Sequence, residues 1–106
     1  MLENFLVDEA KKKLEFFRNI DYYLKKIKQI LRTIDPEGRV FLFGSTGRGE
    51  NVLASDIDVL ILTELAPSSV IATLRKEGFD EIFEFHVVDS RRFKIYCNYV
   101  KDLKEV

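Results

Sequence analysis

Apolar residues recur along the first third of the chain at helical spacing. Leu14, Phe17, Ile20, Leu24, Ile27, Leu31 and Ile34 lie three or four residues apart, which puts them on one face of a long N-terminal helix. Phe16, Tyr23 and Ile30 run beside them at a spacing of seven and widen that face. The pattern predicts a helix packed on a sheet, with part of the face open to another chain as a rival reading. Asp35-Pro36 and Gly38 end it, because the residue before proline avoids helical angles. The period then changes. Val40–Phe43 is a short, wholly apolar strand, and Asp56–Leu62 is a second whose faces are both apolar past Asp58, as in a strand covered on both sides. Ala66-Pro67-Ser68 opens a short helix with Val70, Ile71 and Leu74, which Gly78 closes. Ile82–Val88 is a third strand. Asp89 or Ser90 caps a last helix with Phe93, Tyr96 or Cys97, Val100 and Leu103 on one face.

The order is thus helix, strand, strand, helix, strand, helix. It predicts an α/β (α+β) fold with a small mixed sheet backed by helices. The chain contains no repeat, linker or low-complexity stretch, and at 106 residues it reads as a single domain, 1–106.

Composition narrows the classes. The chain is 46% hydrophobic and 33% charged, a globular balance rather than a disordered one. Its net charge of -1 gives no electrostatic case for nucleic acid or an anionic membrane. No apolar run reaches the ~18 residues of a membrane span, and the N-terminus has no signal-peptide pattern. Cys97 is the only cysteine, so an internal disulfide and a cysteine zinc site are excluded. The expected compartment is the cytoplasm.

The chemistry is concentrated between the first two strands. "FGSTGRGENVLASDIDV" places Gly44, Gly47 and Gly49 in a loop, residues 44–55, and ends it on Asp56 and Asp58. No Gly-Lys-Ser/Thr follows, so this is not a Walker A loop, and the glycines do not make a dinucleotide fingerprint. The loop can still approach an anion closely through its backbone. Ser45 could donate to a phosphate oxygen, and Arg48 could pair with another or be a plain surface arginine. Asp56 and Asp58 are two apart in a strand, so they share a face. Two carboxylates there repel each other and lose hydration. A divalent cation removes both penalties, and magnesium takes such carboxylates with waters and phosphates.

A third acid should face the same way from a neighbouring strand. In "IFEFHVV", Phe83, Phe85 and Val87 form a core face, while Glu84 and His86 share the other. Glu84 is the candidate, with a surface acid as its rival. His86 stands next in line and reads as structural or supporting. Cys97 and the tyrosines read as packing residues, and Lys11–Lys13 as a solvated helix face.

These residues resemble the signature of the DNA polymerase beta-like nucleotidyltransferases: Gly-Ser, ten residues, Asp-x-Asp, here Gly44-Ser45, Thr46 to Ser55, and Asp56-Ile57-Asp58. The short chain, the "FGS" strand end, the Arg-Gly in the loop and "SDIDVLI" are similar to the minimal nucleotidyltransferase (MNT) subgroup. The resemblance implies the nucleotidyltransferase fold. It implies two Mg2+ ions held by Asp56, Asp58 and a third acid, taken as Glu84. It implies a nucleoside triphosphate, ATP, with its phosphates on Gly44, Ser45 and the loop that carries Arg48. Catalytic residues would be Asp56, Asp58 and Glu84. The subgroup also implies a helical HEPN-type protein partner, which an MNT antitoxin can modify by adding AMP to a tyrosine.

Two functions of different class follow. The first is a Mg2+-dependent adenylyltransferase acting on a protein hydroxyl. The second is a catalytically weak or inactive binding module of the same fold that neutralises or scaffolds a partner, motivated by the wide apolar first helix. A homo-oligomer is left open. Transfer to a nucleic-acid 3′ end ranks below both, because a near-neutral chain has little grip on phosphates.

Overall fold

The computed structural model describes residues 2–43 and 56–106, with side chains from Leu6 onward. The loop positions Gly44, Ser45 and Arg48 lie outside the described residues. The elements are α1 (Leu2–Arg18), α2 (Ile20–Ile34), β1 (Arg39–Phe43), β2 (Ile57–Leu62), α3 (Pro67–Lys76), β3 (Phe83–Val88), α4 (Ser90–Tyr99) and β4 (Lys104–Glu105).

The strands form a mixed sheet in the order β3-β2-β1-β4. β1 runs antiparallel to β2 and to β4, and β2 runs parallel to β3. One sheet face carries Val40, Leu42, Ile57, Val59, Ile61, Phe83, Phe85 and Val87 into the main core, where Leu24, Ile27 and Leu31 of α2 and Val70 and Leu74 of α3 meet them. Each fully buried aliphatic side chain of α2 contributes about 1.5–3 kcal/mol. The other face holds a smaller cluster of Phe41, Leu60 and Val88, on which Phe93 and Tyr96 of α4 pack.

Helix ends follow local chemistry. Asp35 takes the extended conformation that Pro36 demands of its predecessor. Gly38 is buried, and a Cβ there would stand 2.6 Å from Leu31 Cδ2. Pro67 occupies the first turn of α3, and Gly78 leaves that helix with φ of 99°. Asp89 caps α4 by accepting the Arg92 amide at 2.9 Å.

Several expectations are corrected in detail. The helical first third is interrupted at Asn19, whose side chain donates to the Glu15 carbonyl at 3.0 Å and to Glu15 Oε1 at 3.2 Å, beside the bond from its own backbone amide to that carbonyl. The last helix stops at Tyr99, so Val100 and Leu103 are not on its face. Lys104–Glu105 instead adds a strand to β1, held by a two-pronged Arg39–Glu105 pair at 2.8 and 2.6 Å. Cys97 is exposed rather than packed. Tyr22 and Tyr99 are also exposed, whereas Tyr23 and Tyr96 do pack. No helix among the described residues is long and apolar enough to cross a membrane.

Candidate active site

The sheet delivers its acids at one end. β1 leaves the sheet at Phe43, and β2 and β3 enter it at Ile57 and Phe83, all at one end. Asp58 is the register partner of Phe43 on one side and of Glu84 on the other. Strand alternation turns both acids away from the main core, toward the face that α4 covers. α4 covers it only in part: the Asp58 side chain is 23% exposed and that of Glu84 55%.

His86 completes the group. Its Nε2 lies 3.3 Å from Asp58 Oδ1 and 3.8 Å from Glu84 Oε1. One ligand atom from each of Asp58, Glu84 and His86 falls within 4.8 Å of the others. The imidazole rests edge-on to Phe43, with ring centroids 5.0 Å apart, and Tyr96 of α4 stands 6.4 Å away. An apolar floor thus fixes the ring, and its nitrogen faces the carboxylates.

Asp56 sits differently. It precedes β2, is exposed, and is not part of that group. It lines a pocket of about 400 Å³ between α1 and the strand entries, together with Glu9, Lys13, Glu81 and Ile82. Of the residues expected to share a site, the structure brings Asp58 and Glu84 together, and Asp56 lies just before β2.

The β3 entry, which aims Glu84, is braced from behind. Arg75 Nη1 donates to the carbonyls of Phe79 and Phe83 at 3.0 Å each and also to that of Asp80. Asp80 pairs with Lys12 of α1. Burial pushes the Asp80 carboxyl up, but the Lys12 and Ile82 hydrogen bonds and the Lys12 and Arg75 charges outweigh it and hold it below the usual range. Phe16, Phe79 and Phe83 close the same corner, with Phe16–Phe83 centroids at 4.9 Å and Phe79–Phe83 at 5.3 Å.

Sequence reasoning did not place His86 among the metal ligands. The signal was there: two residues past Glu84 in a strand is the same face. What alternation does not give is the 3.3 Å approach to Asp58, which depends on the β2–β3 pairing register.

The donor set suits a divalent cation. Adjacent ligands around a metal with bonds of ~2.1 Å lie ~3 Å apart in an octahedral shell and somewhat farther in a tetrahedral one. The closest pair in the group, His86 and Asp58 at 3.3 Å, is near that spacing, and the Glu84 carboxylate, half exposed, has room to move in.

Comparison with known proteins agrees with the fold. The model of the nucleotidyltransferase domain family matches residues 24–104. A crystal structure of a candidate nucleotidyltransferase superposes with a TM-score of 0.65 at 24% identity, covering 79% of this chain and 97% of the other. A candidate nucleotidyltransferase from Sulfolobus solfataricus gives 0.55 at 20%, covering 94% and 84%. Cid1 in complex with the UTP analogue UMPNPP gives 0.55 at 20%, covering 89% of this chain and 35% of Cid1. This chain therefore spans about a third of Cid1. No curated protein matches the sequence.

Proposed function

The chain belongs to the nucleotidyltransferase domain family, and from that premise we propose that it transfers AMP from ATP to a hydroxyl of a protein partner. The acceptor oxygen bonds to the α-phosphorus as the bond to the bridging oxygen breaks. Pyrophosphate leaves, and the hydroxyl proton passes to solvent. Two Mg2+ ions, when bound, neutralise phosphate charge and lower the acceptor pKa.

In this reading Asp58 and Glu84 hold metal from adjacent strands, and Asp56 adds its carboxylate from just before β2. Gly44, Ser45 and Arg48 receive the triphosphate. The single observation that carries the proposal is the pairing of Asp58 with Glu84 across β2 and β3, beside the nitrogen of His86. Facing carboxylates, one of them largely solvated, are costly without a cation and productive with one. The partner is of the HEPN type, as the MNT resemblance implies, and the setting is the cytoplasm, the compartment expected from the sequence.

Cid1 is described as an RNA terminal uridylyl transferase, so UTP and an RNA acceptor form the rival pair. The net charge of -1 weighs against RNA. A binding role without turnover is the other rival, favoured by Leu6 and Val7 of α1, which are 57% and 51% exposed.

The test is incubation with α-labelled ATP or UTP, Mg2+, and either the protein encoded beside this one or single-stranded RNA. Label on the protein from ATP, lost in Asp58→Ala, is the expected result. Label on RNA, or equal labelling by Asp58→Ala, contradicts the proposal.

A further inference from the structure

The transfer reading above gives His86 no role beyond standing beside the two acids, yet it is the residue best placed to alter the metal chemistry of the site. We propose that His86 Nε2 is itself a ligand of the cation held by Asp58 and Glu84, making a mixed nitrogen–oxygen site that takes Mn2+ more tightly than Mg2+. The inference rests on reading Asp58 and Glu84 as metal ligands, and it does not need Asp56.

Three observations carry it. The first is distance: Nε2 stands 3.3 Å from one carboxylate and 3.8 Å from the other, so side-chain shifts of under about 1 Å bring the three to the ~3 Å separation of neighbouring ligands on one ion. The second is order. His86 is the register partner of Leu60, its ring lies against Phe43, and its side chain is only 26% exposed. A ring held this way gives up little conformational freedom when it binds a metal. The third is direction, since the same nitrogen faces both acids. A histidine serving only to orient Asp58 would need one such contact.

The chemical consequence follows from ligand type. Carboxylate and water suit Mg2+ and Mn2+ alike, whereas an imidazole ligand is accepted by first-row transition ions, Mn2+ the weakest of them, and adds little for the hard, strongly hydrated Mg2+. A nitrogen ligand therefore widens the gap between Mn2+ and Mg2+. The alternative is that Nε2–H donates to Asp58 Oδ1 and merely positions it. That arrangement would support both ions equally.

The chain contains a single histidine, so any imidazole signal on a bound ion is assigned without ambiguity. The experiment is pulsed EPR of Mn2+ on the untagged chain, without nucleotide, alongside Mn2+ and Mg2+ titrations by calorimetry. A nitrogen coupling of directly bonded imidazole is expected in the wild type, and its loss in His86→Leu and His86→Gln. Mn2+ affinity should fall about tenfold or more in His86→Leu, with Mg2+ affinity changed less than about threefold. Bound Mn2+ without nitrogen coupling, equal losses for both ions, or no Mn2+ binding by the wild type would each overturn the proposal. The wild-type spectrum decides even if a variant folds poorly. Nucleotide transfer with Mg2+ is measured separately, so a failed nitrogen ligand leaves that reading standing, and a failed transfer leaves the spectrum intact.

Discussion

Arg75 is the joint on which the site depends from a distance, and replacing it with methionine is the most informative perturbation of the fold. Its Nη1 reaches the carbonyls of Phe79 and Phe83 at 3.0 Å and that of Asp80, and its guanidinium lies 5.1 Å over the Phe85 ring. Methionine keeps the apolar stem and removes the charge and donors. The carbonyl of Asp80 belongs to a partly exposed residue and can turn to water, and the 3% exposure of Phe79 leaves its carbonyl less able to. That of Phe83 belongs to a residue with no exposed surface, and it loses a charge-assisted bond of about 2 kcal/mol. The lost cation–π contact adds about 0.5–1 kcal/mol. Arg75→Met should therefore lower stability by about 3 kcal/mol. With a urea slope of about 1–1.5 kcal/mol per molar, the midpoint moves down by about 2–3 M. Because Phe83 precedes Glu84, Mn2+ affinity should fall as well. Arg75→Lys keeps the charge without the planar fork and should recover at most half of the loss. A midpoint shift below about 0.5 M for Arg75→Met, with Mn2+ affinity unchanged, would refute the idea that Arg75 sets the β3 entry.

Two further predictions are simpler. Gly38→Ala puts a methyl 2.6 and 2.7 Å from Leu31 Cδ2 and Cγ, with Leu31 itself fully buried, so thermal or urea melts should show a loss of about 1–3 kcal/mol. The Lys12–Asp80 pair is a matter of pH. The Asp80 carboxyl is held below 3.8, so its contribution is present above the unfolded value and is lost as pH falls through the folded one. The Lys12 amine is held above 10.5 by its hydrogen bond to Asp80, so its contribution is lost as pH rises through the higher folded value. Both side chains are more than a third exposed, which keeps the pair below about 1 kcal/mol. Asp80→Asn should thus cost a small, constant amount between those limits and nothing in strong acid, as read by melts from pH 2 to 8. A cost that grows toward acid would contradict the assignment.

How far the sequence reaches can be seen residue by residue. Strand alternation and the break at Asp35-Pro36 located β1, β2 and β3 to within a residue, because apolar runs and proline act locally. The same alternation put Asp58 and Glu84 on one face, which the pairing of β2 with β3 then made into a contact. Other features depend on partners far along the chain. β4 is two residues long, carries Lys104 and Glu105, and exists because Arg39 and the edge of β1 receive it. No local pattern announces it. At the break, Asn19 folds its side chain back onto Glu15, and the apolar spacing runs through it undisturbed. Cys97 and Tyr99 fall on the outward side of α4, which buries no residue fully, so helical spacing alone overstated their packing. His86 was visible as a neighbour of Glu84 but not as a neighbour of Asp58.

In the proposed reading, Asp58 and Glu84 hold the metal on which nucleotidyl transfer depends. Pyrophosphate release from each of the four ribonucleoside triphosphates, with Mg2+ and with Mn2+ and with acceptor present, tests it most directly. The account predicts release matched one for one by nucleotide transfer, falling at least about a hundredfold in Asp58→Asn and in Glu84→Gln while both variants keep the wild-type fold by circular dichroism. Release that survives Asp58→Asn, or no release from any triphosphate with either metal, would contradict it.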